Sequence, residues 1–178
     1  MKHKRGKMEV IIKVPVKVHL RKFAHWYEGI PLDEPLVIRP GSLIGQILTQ
    51  VICGKRKYLA YTWRSAPPSS GGHLDFLQIR LPKSIVDRGE YFLTKDGQDF
   101  FAQALSAMHR DMMLMHILSA KTLGQTERQS ILIWMDLLNI EEDKDLTFDA
   151  LKKMSNRTRP KIMGGVVFRR GQRPSPAR

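Results

Sequence analysis

Residues 126–159 read "TERQSILIWMDLLNIEEDKDLTFDALKKMSNRTR", and the organisation of the chain follows from them. Thr126 with Gln129 three positions later forms a capping box, in which each side chain satisfies a backbone donor of the other residue. Ile131, Trp134, Met135 and Leu138 then recur at steps of three and four, which is one face of a helix. Asn139 suits its end. After the acidic stretch "IEEDKD", Thr147 can cap a second helix with Phe148, Leu151 and Met154 facing inward. Lys152, Lys153, Asn156, Arg157 and Arg159 are left for solvent or a ligand, and Pro160 is expected to stop the helix.

Working upstream, Thr94 can cap a long helix on which Phe101, Leu105, Met108, Met112 and Met115 recur at three or four residues. Three helices over 93–160 have the outline of a helix-turn-helix unit, whose last helix lies in the major groove. In that reading Asn156 meets a base edge, while Lys152, Lys153, Arg157 and Arg159 bind phosphate or guanine. The connection of about eight residues is longer than the usual turn of three or four, and its acids would repel DNA. A helical hairpin whose charged side faces water fits the same pattern.

The stretch "ILIWMDLLNIEEDKDLTFDALKKMSNRTR", residues 131–159, resembles small uncharacterised helix-turn-helix-like proteins of bacterial phages and mobile elements. The resemblance implies a DNA-associated role in a mobile element and carries no catalytic signature.

The first half has a different character. Residues 1–7 form a basic arm, and "MEVIIKVPVKV" is rich in β-branched residues, as strands are. Pro15 lacks a backbone donor and places that strand at an edge or ends it. A short helix over "VHLRKFAHWYEG" follows, with Leu20, Phe23, Ala24 and Tyr27 at helical spacing and Gly29 as its stop. Three prolines fill residues 30–41. Ser42 can then cap a helix that presents Leu43, Ile47, Leu48 and Val51, with Gly54 at its end. "KRKYLAYTW" alternates like a strand, "SAPPSSGG" is a loop, and "HLDFLQIRLPKSI" holds another strand, with a core side at Leu74, Phe76 and Gln78 and with Leu77, Ile79 and Leu81 around it. "IIKVPVKVHLRKF" and "LQIRLPKSIVDRG" echo one another, and two such strands could pair in one sheet.

The expected fold class is therefore α+β: a small N-terminal sheet with helices over 8–92, a three-helix, helix-turn-helix-like unit over 93–160, and a basic, flexible tail over 161–178. "IMGGVVF" within the tail could add a strand.

Charge points to the partner. The formal net charge is +13. The first 28 residues carry eight Lys or Arg against Glu9 and Glu28, and residues 150–178 carry nine against no acid, so the middle of the chain is slightly acidic. Such ends attract polyanions and give binding a steep salt dependence. Lys161, Arg169, Arg170 and Arg173 join the helix residues as candidate nucleic-acid contacts. Rings beside cations in "RKFAHWY" and "KRKYLAYTWR" could stack on bases, although such rings more often pack in a core.

Other chemistry finds little support. His109 and His116 lie seven apart on one predicted helix, but no zinc motif accompanies them. Glu90, Asp96 and Asp99 could serve a metal-dependent nuclease only if they converged on a cation. "EEDKD" lacks the central Gly and closing Glu of a calcium loop. No GxSxG, phosphate loop or dinucleotide fingerprint is present. The lone Cys53 makes no internal disulfide. No apolar run reaches membrane-spanning length, and Lys13, Pro15 and Lys17 break the stretch a signal peptide would need. The sequence thus points to a cytoplasmic, nucleoid or phage-associated non-enzymatic protein without metal or cofactor, which binds nucleic acid, DNA before RNA. The alternative is a structural or assembly protein of a phage or mobile-element complex, as a homo-oligomer or larger assembly.

Overall fold

The computed structural model describes residues 10–37, 39, 41–54, 74–142 and 144–163. The fold is α+β. Strand β1 (Ile11–Lys17) runs directly into helix α1 (Val18–Glu28). A short strand β2 (Leu36–Val37), helix α2 (Leu43–Val51) and strand β3 (Ile52–Gly54) follow. Beyond the undescribed stretch come β4 (Leu74–Arg80), a five-residue helix α3 (Lys83–Asp87) and β5 (Glu90–Leu93). Three helices follow among the described residues: α4 (Lys95–Thr122), α5 (Glu127–Leu137) and α6 (Phe148–Met163).

The echo between the two strand sequences has a direct structural counterpart. β1 and β4 pair antiparallel from Ile11 opposite Arg80 to Lys17 opposite Leu74. In each, every second residue is buried: Val14 and Val16 on β1, Leu77 and Ile79 on β4. β2 joins the far side of β4 in parallel, so β1 pairs only with β4 among the described residues. Pro15 therefore sits on an edge strand, where its missing donor costs no ladder bond.

The predicted caps are present. Thr94 Oγ1 accepts from Gly97 N at 3.1 Å, and Ser42 Oγ accepts from Gly45 N at 3.0 Å. At α5 the full capping box forms, with Gln129 N on Thr126 Oγ1 and Thr126 N on Gln129 Oε1. Gly97 also permits a close approach: a Cβ there would stand 3.2 Å from the carbonyl oxygen of Val51, where the first turn of α4 crosses the end of α2.

Several expectations need correction. On α2 the buried face is Ile44, Gly45 and Leu48, while Leu43 lies 46% exposed. The helix stops at Val51, before Gly54, because residues 52–54 leave it to pair with β5. That partner lies some 40 residues away, so local periodicity could not reveal it. On α4 the buried line is Phe101, Leu105, His109, Met113, Ile117 and Ala120, and Met115 faces outward. A helix of 28 residues packed against both sheet and helices buries a wider arc than the methionine positions mark. Pro160 does not end α6, and Lys161, assigned to the tail, lies within its helical backbone. A proline removes one hydrogen bond and crowds one carbonyl, which can bend a helix without terminating it.

One apolar cluster runs from Val14 of β1 to Leu151 of α6, so the sheet and the helical unit share a core. The "KRKYLAYTW" strand, the "SAPPSSGG" loop, the N-terminal arm and residues 164–178, including Arg169, Arg170 and Arg173, lie outside the described residues. Among the described residues no helix is long and apolar enough to cross a membrane.

Candidate nucleic-acid interface

Helix α6 is built to hold one arc and present the other. Thr147 Oγ1 accepts from Ala150 N at 3.2 Å and caps its first turn. Leu151 and Ser155 are fully buried, and Phe148 and Met154 are half-buried beside them. Ser155 Oγ donates to Glu127 Oε1 at 3.2 Å, which fastens the middle of α6 to the first turn of α5. Glu127 faces Lys121 with its other oxygen at 3.5 Å. Sequence reasoning missed Ser155, since a small polar residue gives no apolar signal; its spacing of four from Leu151 was the available clue.

On the other arc Lys152, Lys153, Asn156 and Arg157 are all exposed. At about 100° per residue they form two adjacent rows, Lys152 with Asn156 and Lys153 with Arg157. Among the described residues none forms an ion pair with Lys152, Lys153 or Arg157. Asp149 is exposed at the start of the same arc, where it favours the helix dipole and offsets one positive charge. Arg159 and Lys161 continue the helix, with side chains outside the described residues.

The described residues of the acidic connection between α5 and α6 are tied down at Asn139, Glu141 and Asp145. Asn139 adopts the left-handed conformation with φ 52°. Ile140 N reaches Met135 O at 2.8 Å and Asn139 N reaches Asp136 O at 2.9 Å, which closes α5 by a Schellman pattern with Ile140 buried. Lys22 of α1 then spans the turn. Its ammonium donates to Asp145 Oδ2 at 2.7 Å and to the carbonyl of Asn139. The same carboxylate oxygen accepts from Glu141 N at 2.9 Å. Lys144 pairs with Glu141 and, through that hydrogen bond, holds its carboxyl below the usual range. Two of the acids that would repel DNA thus have cationic partners, while Glu142 faces water.

The Lys22–Asp145 side chains are only 13% and 7% exposed, so the pair is largely shielded. Lys22→Ala would leave Asp145 without its cation and free the turn that aims α6. The expected cost is about 1–3 kcal/mol in urea unfolding, with the α6 amides losing hydrogen-exchange protection first.

Behind α6 and α5 lies a cluster of rings. Trp134 Nε1 donates to His109 Nε2 at 3.2 Å, so His109 is neutral with its proton on Nδ1. The His109 ring meets Phe23 edge-on at 5.2 Å and His19 at 5.4 Å, and His116 touches Trp134 at 5.5 Å. Burial holds His109 down to about 3, with the neighbouring His19 adding to the effect. His19 is held at about 4 by burial and by Lys17, with Asp145 pulling the other way. The rings of "RKFAHWY" serve this core: Phe23 is buried and Trp26 packs edge-on against Trp134 at 5.5 Å. Among the described residues no group of three or more His, Cys, Asp or Glu could hold a metal ion. Asp96 and Asp99 are exposed on the first turns of α4, and the side chain of Glu90 lies outside the described residues.

A cavity of about 750 Å³ opens between β1, the start of α4 and α6. Lys17, His19, Phe76, Lys95, Gln98 and Met154 are among its lining residues. Sequence reasoning did not find it, because its walls come from separate segments of the chain.

Comparison with known proteins gives no match: no family model, curated protein or solved structure aligns with the chain.

Proposed function

We propose that the chain is a nucleic-acid-binding protein, with double-stranded DNA as its first ligand. α6 acts as the docking element, and the basic ends add affinity through phosphate contacts. The observation that carries this reading is the exposed arc of Lys152, Lys153, Asn156 and Arg157 on a helix whose opposite arc is fixed in the core. Three cations and an amide on a rigid helix match what a groove requires: charges for phosphates and one side chain able to pair with adenine. The net charge of +13 supports the same reading through long-range attraction. The proposed setting is the cytoplasm or nucleoid of a bacterium, or a phage complex, and the proposed role is binding rather than catalysis.

The test is a salt series against duplex DNA, single-stranded DNA and RNA. Duplex binding should be tightest, and log K should fall linearly with log salt with a slope of several phosphates. Binding that persists unchanged at high salt would remove the electrostatic account.

A second reading, an assembly protein, draws on one observation. α5 leaves Leu132, Ile133 and Leu137 between 42% and 46% exposed on its outer side. An assembly protein would form large species by light scattering without nucleic acid.

A further inference from the structure

We propose that the cavity between β1, α4 and α6 receives an unpaired nucleotide of the bound nucleic acid. The site rests on the proposed nucleic-acid binding for the strand that delivers the nucleotide. At about 750 Å³ the cavity falls within the range of small-molecule sites.

Its lining combines three chemistries that a nucleotide needs together. Phe76 is 54% exposed although it sits on a sheet strand, beside Pro15 on the edge strand β1, and offers a ring face for a base. Base–aromatic stacking tolerates any base, since every base has a π-face. Lys17 and Lys95 supply positive charge for the phosphate, and Lys95 opens α4, whose N-terminal end attracts anions. Gln98, together with Gln103 and Ser106, provides donors and acceptors for base or sugar edges.

One further observation connects the cavity to the docking surface: Met154 of α6 belongs to the lining. On the helical wheel Arg157 lies about 60° from Met154 and Lys153 about 100°. The basic arc therefore continues round α6 to the cavity, so a strand held on those cations passes its mouth. Asp99 is the carboxylate of the lining. It disfavours phosphate on its own side and accepts from an amino group or a sugar hydroxyl.

The test uses the full chain with the four deoxynucleoside 5′-monophosphates and an oligothymidine, followed by NMR and by fluorescence anisotropy. Mononucleotides should shift the amides of Phe76, Gln98 and Ser106, and inorganic phosphate alone should shift them less. Phe76→Ala should weaken oligothymidine binding about tenfold or more, and Phe76→Trp should restore it. Neither should change affinity for a blunt duplex. Two results overturn the proposal: no shift at these amides up to millimolar mononucleotide, or equal oligothymidine affinity in Phe76→Ala and the parent. If duplex binding fails while mononucleotides still shift these amides, the nucleotide site stands and docking through α6 falls. If duplex binding holds and the cavity is silent, the reverse is true.

Discussion

Replacing Lys152, Lys153, Arg157 and Arg159 together with Ala is expected to lower duplex affinity about 10²–10⁴-fold at 0.1 M salt, since each phosphate no longer neutralised removes about 0.9 log units there. The slope of log K against log salt should become shallower by up to about 3.6 in the same variant. Stability should change little, because Lys152, Lys153 and Arg157 are exposed and without ion pairs among the described residues. That separation makes the result readable: an unfolded variant would show itself by circular dichroism. Asn156→Ala alone should leave the salt slope intact and reduce discrimination between sequences, since an amide reads a base and releases no counterion. A quadruple variant that still binds duplex with the parent's slope would move the function to the basic ends. Deleting residues 164–178 would then abolish it.

Mild acid is expected to destabilise the fold by about 2–4 kcal/mol between pH 7 and pH 5. His19 and His109 titrate near 4 and 3 in the folded chain, against an ordinary 6.5. Between those values the unfolded chain binds protons that the folded chain refuses. Stability is thus fully present above about pH 6.5 and lost progressively as pH falls toward the folded values. His25, also lowered mainly by burial, adds in the same direction. Urea midpoints at pH 7, 6 and 5 measure the effect. His19→Gln should remove part of the slope, because Gln carries no proton to gain. A flat profile between pH 7 and pH 5 would mean that His19 and His109 keep access to water.

Much of the local structure was legible in the residues. Thr94, Thr126 and Thr147 cap the helices they were read to cap, because a cap is decided by a side chain and a backbone group within four positions. Gly29 and Asn139 close α1 and α5 in the left-handed conformation for the same local reason. Composition announced both strands, but not their faces: on β4 the side read as core, with Phe76 and Gln78, is exposed, while Leu77 and Ile79 are buried against the helices. The basic arc of α6 followed from the three-residue spacing of Phe148, Leu151 and Met154 against Lys152, Lys153, Asn156 and Arg157.

Apart from the end of α6, much of what failed depends on a distant partner. β3 exists because residues 90–93 lie beside it, and no local pattern in "ICG" distinguishes it from a helix end. Lys22 entered only as part of the N-terminal positive charge, yet its ammonium holds a turn 117 and 123 positions further along the chain. His109 and His116 read as a face, and Trp134 between them supplies the donor that decides the protonation of His109.

Residue order alone was enough for the N-terminal caps at Ser42, Thr94, Thr126 and Thr147, the edge strand at Pro15 and the excess of positive charge. Each depends on residues near one another in the chain or on composition. Which of those charges are paired internally, as at Lys22, and which face water on α6 was settled in three dimensions. So was the meeting of Phe76, His19, Lys95 and Met154 around one cavity. Burial and pairing are properties of the space between segments, and that space forms only when the core from Val14 to Leu151 closes.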